Sequence, residues 1–316
     1  MLPLGDVARR FNLFSALAAA GAVGLACAAG EQALRRAACL GAPARWALSF
    51  AAALCLAASP ALWSQALIAE VYALNAFFCA LCLYLALRLT ADSPPSAWGG
   101  LGLALGVGLG NHLTLLWLAP ALALWLWPWA NGRRALAALG GLGLGLTVYL
   151  YIPLAAAGDP PVNWGQAHTG QGLWWLLSGR LYHGYLWRLP LAHLPSRLLA
   201  WAGLWGRQFT PVGLALAVVG FATWLQQGGA ARRLALALLS SIGLWSVYAL
   251  GYDTTDSYLY LLPAFLAATP ALAIGAPALL NAALQRPGRL KRLLAPGLLC
   301  ALALWSAWQY GPTLSL

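Results

Sequence analysis

The chain has 316 residues, of which 62% are hydrophobic and 8% are charged, and its net charge is +11. Soluble domains carry about 25% charged residues, so this composition excludes an ordinary soluble enzyme and indicates a membrane protein. The basic residues stand mostly in short clusters between apolar runs, which is typical of membrane topology signals and excludes nucleic acid as a partner.

Apolar runs recur along the whole chain and predict membrane-spanning helices, each of about 20 residues. We expect an all-α, polytopic helix bundle of about ten spans, forming one integral membrane domain over residues 1–316. A break at Gly110–His112 divides one run that is too long for a single crossing. The predicted spans are 11–29, 47–62, 70–90, 98–111, 113–130, 135–155, 203–227, 233–251, 257–279 and 293–311.

The distribution of basic residues predicts how the bundle is oriented. Twelve of the 18 Lys and Arg residues follow the first, third, fifth, seventh and ninth spans, and six fall on the other side. The positive-inside rule therefore places the N-terminus outside. Five of the seven acidic residues and all four histidines then fall on the outer side, so we expect any site to face outside.

Glu70 stands within a strongly apolar stretch, Trp63-Ser-Gln-Ala-Leu-Ile-Ala-Glu-Val-Tyr-Ala-Leu-Asn75. A carboxylate at the centre of a membrane helix costs roughly 2.5–3.5 kcal/mol, which makes it a candidate functional residue. If residues 63–79 form one helix, Tyr72 and Asn75 share one stripe and Glu70 lies opposite. The alternative is a break after Pro60, with a surface turn over 63–69. Glu70 then either orients a polar ligand or has a structural role, paired with an Arg or capping a helix.

Asn111 and His112 stand at the break between two predicted spans. Asn111 favours turn geometry and is suited to cap the following helix. His112 would then lie near the membrane edge and bind an anionic headgroup or a phosphate. The alternative is a plain helix–helix turn with a hydrogen-bonded histidine.

The segment 156–202 is the only long hydrophilic stretch of the sequence. It begins with a turn-rich motif that contains Asn163 and Trp164. Apolar residues from Trp174 to Tyr185 then recur at helical spacing, which predicts an amphipathic helix at the outer interface, with Arg180 and His183 off its apolar stripe. Such a helix would shape a groove for a lipid-linked substrate, or would only pack on the membrane surface.

Asp253 and Asp256 lie in a short connection between two predicted spans. Two carboxylates are a weak indication of a metal ion, and N-capping of the next helix is the better interpretation. We predict no metal site.

Six motifs together resemble one family. They are Asn12-Leu-Phe-Ser-Ala-Leu17, the Trp63–Asn75 stretch, Gly110-Asn-His-Leu-Thr114, Tyr151-Ile-Pro-Leu154, Asn163-Trp-Gly165 and Asp256-Ser-Tyr-Leu-Tyr-Leu-Leu-Pro263. The chain resembles, over most of its length, a bacterial membrane family related to the protein O-mannosyltransferases of the GT-C class.

The resemblance implies a GT-C-like fold in the bacterial inner membrane and a site on the outer face. It also implies transfer of a mannose-type sugar from a polyprenyl-phosphate donor to a protein or glycan acceptor, with inversion at the anomeric carbon and without a cofactor. Membrane lipids are the other expected partners.

In the family, a carboxylate in the first outer loop acts as general base on the acceptor. That loop follows an additional first helix and carries an Asp-Ser-Gly-Glu-type motif, which this chain does not contain. The segment Leu2–Asp6 matches the end of the loop. We therefore expect a chain that is short at its N-terminus, through a misassigned start or as an inactive fragment, and that lacks the family base. Asp6 as a substitute base is the weaker alternative.

The resemblance and the motifs together suggest that Glu70 positions acceptor or donor, and that His112, with Arg180 as the weaker candidate, contacts the donor phosphate. The competing functions are a non-catalytic lipid-binding or assembly protein and a small-molecule transporter. The full set of candidate substrate-binding residues is Glu70, Tyr72, Asn75, Asn111, His112, Asn163, Trp164, Arg180, His183 and Asp256.

Overall fold

The structure is a computed structural model that describes residues 5–37, 40–283 and 289–314; residues 2–4 of the N-terminal motif lie outside these ranges. Within them the chain is helical and contains no β-strand, so the all-α prediction is confirmed. The α-helices are α1 Val7–Ala37, α2 Ala42–Ala57, α3 Pro60–Ala66, α4 Tyr72–Arg88, α5 Pro95–Asn111, α6 Ala119–Leu126, α7 Gly132–Leu146, α8 Tyr151–Ala157, α9 Gly170–Leu177, α10 Leu194–Gln227, α11 Gly229–Gly251, α12 Leu262–Ala283 and α13 Arg289–Leu314.

Every predicted span overlaps a helix, but fewer helices than predicted are long and apolar enough to cross a membrane. In the described ranges six meet this condition, and a seventh does if α2 and α3, which are bent by 69°, form one broken span. The helix α4 has only 17 residues, about 25 Å, which is less than the roughly 30 Å of a hydrocarbon core. These long apolar helices indicate an integral membrane protein. The count of ten spans stays a prediction.

The helix α12 lies at the centre of the bundle. Its residues from Leu262 to Ala276 are all buried, and it packs against α1, α2, α4, α10, α11 and α13. A helix that is apolar on every side has no face suited to water, so only a position surrounded by other helices or lipid satisfies it.

The helices α5 and α7 form a closely packed pair at the edge of the bundle. A Cβ atom added at Gly102 would overlap the Ala138 carbonyl oxygen, and one added at Gly141 would overlap the carbonyl oxygen of Gly99. Glycine at these positions therefore lets the two backbones touch, which is how small residues join helices in membranes.

Arginines from four separate connections lie together at one end of the bundle, which we call the arginine end (Arg35, Arg36, Arg88, Arg134 and Arg233). Arg36 lies over the ring of Trp129, and Arg233 lies over the same ring. Arg134 donates to the carbonyl oxygen of Ser93 over 3.1 Å. The sequence predicts this clustering, because these arginines follow alternate spans and alternate spans end on the same side of a membrane. Which membrane face they occupy stays a prediction.

The segment between α8 and α10 contradicts the predicted amphipathic helix. The helix α9 ends at Leu177, and Gly179 has the left-handed conformation, with φ 63°, before a 3-10 turn over Arg180–Tyr185. Glycine commonly ends a helix in this conformation, so the apolar stripe is divided between two short segments. The segment then docks on the bundle, because Trp187 donates its backbone N–H to the Gly251 carbonyl over 2.8 Å.

Candidate functional site

The break between α5 and the next helical segment lies where the sequence predicts it, but the capping residue differs. His112 has an extended backbone and begins the 3-10 turn Leu113–Leu118, and its Nδ1 atom accepts a hydrogen bond from the Thr114 backbone N–H over 3.2 Å. Asn111 is the last residue of α5 and donates instead to the Val71 carbonyl oxygen over 3.1 Å. The prediction that Asn111 caps the turn is therefore wrong. The imidazole of His112, and not the Asn111 amide, accepts the hydrogen bond from the Thr114 backbone N–H.

A chain of hydrogen bonds joins α4 to His112. Asn75 donates through Nδ2 to the Thr114 hydroxyl over 3.3 Å, and that hydroxyl lies 2.7 Å from Nδ1 of His112. A backbone N–H can only donate, so Nδ1 is an acceptor and the Thr114 hydroxyl donates to it as well. The proton of the neutral ring therefore lies on Nε2. No hydrogen bond to Nε2 is found among the described residues, which leaves this N–H for a ligand.

Thr114 is held in place by α11 as well. Trp245, which is fully buried, donates its indole N–H to the Thr114 carbonyl oxygen over 3.0 Å. The turn that carries His112 is thus fixed from two sides, by Asn75 of α4 and by Trp245.

Tyrosines from α4, α11 and the α11–α12 connection pack together beside His112, and we call them the tyrosine cluster (Tyr72, Tyr248, Tyr252 and Tyr260). The His112 ring centroid lies 5.6 Å from that of Tyr72 and 5.8 Å from that of Tyr260. Tyr260 in turn lies 5.1 Å from Tyr248 and 5.0 Å from Tyr252. Burial lowers the pKa of His112 to about 4, so the imidazole is neutral near pH 7 and acts as a hydrogen-bond donor and not as a cation.

Glu70 lies in an exposed turn over 67–71, at the edge of this cluster. Residues 63–79 do not form one helix, because α3 ends at Ala66 and α4 begins at Tyr72. The alternative turn over 63–69 is also displaced, since Trp63 to Ala66 are still helical. The exposed turn keeps the carboxylate out of the apolar interior and so avoids the cost of burying it. In the part of the chain that the structure describes, Glu70 has neither an ion pair nor a capping hydrogen bond.

Asp256, like Glu70, is within electrostatic range of Tyr72. Asp256 precedes the 3-10 turn Ser257–Leu261, but its side chain makes no capping hydrogen bond. Capping by the Asp256 carboxylate is therefore not seen, and the carboxylate stays exposed. No group of three or more metal-ligating side chains occurs among the described residues.

Arg197 of α10 organises the α11–α12 connection and was not singled out from the sequence. Its Nη2 atom donates to the carbonyl oxygens of Ala249 and Tyr252, over 2.9 and 2.8 Å, and to the Ser257 hydroxyl over 3.2 Å. These contacts satisfy carbonyls that the end of α11 leaves unpaired. The only sequence signal was its basic charge on the predicted outer side, which does not reveal partners more than 50 residues away.

Two cavities of about 320 and 350 Å³ adjoin this connection. They share Leu204, Arg207 and Tyr258 as lining residues. Arg207 is a second cation that sequence reasoning did not single out. Together the cavities give this end of the bundle room for a ligand next to the connection that Arg197 holds.

Four of the predicted site residues lie in the segment between α8 and α10 instead. Asn163 donates to the Ala156 carbonyl oxygen over 3.2 Å, and Trp164 lines a separate cavity of about 140 Å³. His183 pairs through Nε2 with the Ser178 carbonyl oxygen over 2.9 Å, and Arg180 is exposed. Within the described ranges, no hydrogen bond or ring contact joins these four to His112. The segment reaches the cluster through Tyr185, whose ring lies 6.0 Å from that of Tyr252.

Asp6, the substitute base suggested by the sequence, caps the first turn of α1. Its Oδ1 atom accepts a hydrogen bond from the Arg9 backbone N–H over 2.8 Å. Since the Asx cap is a common structural role, the geometry alone gives Asp6 no chemical task.

Comparison with known proteins identifies one similarity, in the N-terminal part. Residues 1–131 match the family model described as Protein O-mannosyl-transferase TMEM260 N-terminal domain. No curated protein and no solved structure matches the chain. The matched stretch covers less than half of the chain and includes Glu70, Tyr72, Asn75, Asn111 and His112. It relates this part of the protein to the O-mannosyltransferases.

Proposed function

We propose that this protein is a membrane glycosyltransferase that transfers a mannose-type sugar from a polyprenyl-phosphate donor to a protein or glycan acceptor. The similarity of residues 1–131 to an O-mannosyltransferase domain supports the reaction class. The observation that carries the proposal is the fixed tautomer of His112, whose Nε2–H has no partner within the described protein while Nδ1 is held by Thr114.

In this reaction the bond between the anomeric carbon and the donor phosphate oxygen breaks, and the acceptor oxygen bonds to that carbon. Negative charge develops on the departing polyprenyl phosphate. A fixed N–H donor in a site with little water stabilises such charge because it needs no reorganisation during the reaction. We assign this role to Nε2–H of His112.

The acceptor hydroxyl loses a proton in the same step, and a carboxylate is the expected base. Glu70 and Asp256 are the exposed carboxylates near Tyr72, and we propose that they orient the acceptor or the sugar and that one of them takes this proton. The roles of Asn163, Trp164, Arg180 and His183 as ligands remain part of the proposal, since a lipid-linked donor extends well beyond the transferred sugar.

The proposed orientation places the arginine end in the cytoplasm of a bacterial cell and the tyrosine cluster on the outer face of the inner membrane. Support comes from the positive-inside rule and from the separation of the two groups along α4. Tyr72 begins that helix and Arg88 ends it, so the two residues are about 24 Å apart.

The test is transfer of radiolabelled mannose from polyprenyl-phosphate mannose by the purified protein in lipid nanodiscs. His112→Ala should lower the transfer rate by about 100-fold, which is the usual cost of losing one such donor. Glu70→Ala should also lower the rate strongly, without loss of expression. His168→Ala is the matched control, because His168 is exposed and lies outside the cluster. Unchanged transfer by His112→Ala would exclude the assigned role.

The capping contact of Asp6 favours a second candidate, a non-catalytic lipid-binding protein. The carboxylate of Asp6, the weaker candidate for a substitute base, already accepts a hydrogen bond from the Arg9 backbone N–H. In that case the wild-type protein would bind polyprenyl-phosphate mannose but would transfer no sugar to any acceptor. The His112→Ala variant would bind this lipid more weakly.

A further inference from the structure

A polar cavity of about 570 Å³ lies at the arginine end, between the C-terminal ends of α1 and α4. It is lined by Gln32, Arg35, Arg36, Tyr84, Arg88 and Thr90. Its size is within the range of small-molecule sites, about 300–1,000 Å³. The cavity lies at the end of α4 opposite to Tyr72, so it is separate from the site proposed for glycosyl transfer.

The three arginines of this cavity differ in how far the protein already satisfies them. Arg36 donates to the carbonyl oxygens of Leu87 and Leu89, over 3.2 Å each. Arg88 lies over the Tyr84 ring at 5.7 Å and donates to its hydroxyl over 3.4 Å. Arg35 is exposed, and no hydrogen bond or ion pair of its side chain occurs among the described residues. Several guanidinium N–H groups therefore stay available to a ligand.

Positive charge at this cavity is not balanced by nearby acidic residues. Arg36 is within electrostatic range of both Arg35 and Arg233. Of the acidic residues at this end, Glu31 is already paired with Arg45 over 2.8 Å. Asp92 is exposed in the following turn, where its backbone bonds to Thr90. Three arginines line the cavity, and only the carboxylate of Asp92 at this end, among the described residues, is not paired with another arginine. The cavity therefore carries a net positive charge.

An anion in the cavity would offset this repulsion, and the geometry of guanidinium groups favours one kind of anion. Arginine binds phosphate with two parallel N–H···O bonds, and Gln32 and Thr90 are further polar residues of the lining. We infer that this cavity is a binding site for a phosphate group, belonging either to the headgroup of an anionic phospholipid or to a soluble phosphate compound. This inference does not depend on the proposed glycosyl transfer.

An apolar strip of α4 continues from the cavity toward the middle of the bundle. Leu81 and Phe77 stand one and two turns before Tyr84 and are only partly buried. Phe77 lies against Gly21, at the seam between α1 and α4. An acyl chain attached to a phosphate in the cavity would have apolar surface along this seam, which is the arrangement of basic headgroup sites at the ends of membrane helices.

The experiment measures binding of three probes to the purified protein in detergent: short-chain phosphatidylglycerol, short-chain phosphatidylcholine and inorganic phosphate. The variants are Arg35→Gln and the double variant Arg35→Gln with Arg88→Gln. Arg35→Gln removes no hydrogen bond or ion pair among the described residues and so keeps the test valid if the double variant folds poorly. Arg133→Gln is the matched control, because Arg133 is an exposed arginine that does not line the cavity.

The wild-type protein should bind phosphatidylglycerol more tightly than phosphatidylcholine. Arg35→Gln should weaken this binding by about tenfold, as expected for one lost charge-assisted contact, and the double variant should weaken it further. Competition by inorganic phosphate at low concentration identifies a soluble phosphate compound as the ligand, and its absence identifies the lipid. The inference is overturned if Arg133→Gln weakens binding as much as Arg35→Gln, if neither cavity variant changes binding, or if the wild-type protein binds neither phosphatidylglycerol nor phosphate.

Discussion

The backbone N–H of Thr114 donates a hydrogen bond to Nδ1 of His112 over 3.2 Å, and this contact decides which ring nitrogen carries the proton. The Thr114 hydroxyl approaches the same nitrogen to 2.7 Å. With both Thr114 donors directed at Nδ1, the neutral imidazole keeps its proton on Nε2. Orientation and tautomer of His112 are thus set by a residue two positions away.

Thr114→Val should disturb this arrangement without changing the size of the side chain greatly. The substitution removes the hydroxyl that links Asn75 to His112 and leaves the buried Asn75 amide without its acceptor. We expect a loss of about 1–3 kcal/mol in the free energy of unfolding, together with slower glycosyl transfer, measured by thermal denaturation in detergent and by the mannose-transfer assay.

Thr114→Ser is the control for this change because it keeps the hydroxyl and the backbone N–H. Stability and transfer should stay near the wild-type values. If Thr114→Ser, which keeps the hydroxyl, lost as much stability as Thr114→Val, the hydrogen-bond chain would not explain the loss.

Stability should depend on pH through His112. Burial lowers the pKa of its imidazole to about 4, whereas an exposed histidine titrates near about 6.5. Between these values the unfolded chain binds a proton that the folded protein does not, so the contribution of His112 to stability is present above about pH 6.5 and is lost as the pH falls toward about 4. The melting temperature of the wild-type protein should therefore fall more steeply with acidification than that of His112→Gln. Parallel pH profiles would contradict a buried neutral imidazole.

The helices were largely predictable, because apolar runs and the Gly110–His112 break are local features of the sequence. The number of membrane crossings was not, since it depends on bends such as the 69° angle between α2 and α3. The amphipathic stripe from Trp174 to Tyr185 was correctly periodic, but one left-handed glycine, Gly179, divided it. Periodicity reports which face a residue would occupy and does not report whether the helix continues.

The residues of the candidate site could be singled out where they belong to short sequence motifs. Tyr72, Asn75 and His112 were all singled out, and the structure brings them together around Thr114 and the tyrosine cluster. Arg197 was missed because its partners, the carbonyl oxygens of Ala249 and Tyr252, are main-chain atoms that carry no sequence signature. Asn163 and His183 lie apart from His112, and each bonds to a nearby backbone carbonyl oxygen, as polar residues in loops often do; their roles as ligands stay a prediction.

The contact between α5 and α7 should not tolerate a side chain at Gly141. Its Cβ would overlap the Gly99 carbonyl oxygen, so Gly141→Val must separate the two backbones. We expect a loss of at least about 1–3 kcal/mol, as for other overpacked contacts, measured by thermal denaturation. Gly140→Val is the adjacent control, because a Cβ there meets no atom within 4 Å. Equal losses in both variants would point to helix propensity and not to the contact.

The hydrogen bonds of Arg197 make a final prediction for the α11–α12 connection. Arg197→Gln removes a charged donor from the carbonyl oxygens of Ala249 and Tyr252 and from the Ser257 hydroxyl. Each such bond contributes about 1.5–3 kcal/mol, so the connection should open more often than in the wild-type protein.

Hydrogen exchange of the amides between Tyr252 and Ser257 measures this opening directly. Exchange there should become faster in Arg197→Gln by about tenfold or more, because a factor of ten corresponds to roughly 1.4 kcal/mol. The helices α2 and α13 should exchange as before. Arg188→Gln is the control, since Arg188 is an exposed arginine of the preceding segment with no hydrogen bond in the described structure. Unchanged exchange between Tyr252 and Ser257 in Arg197→Gln would mean that the tyrosine rings, and not Arg197, hold this connection against His112.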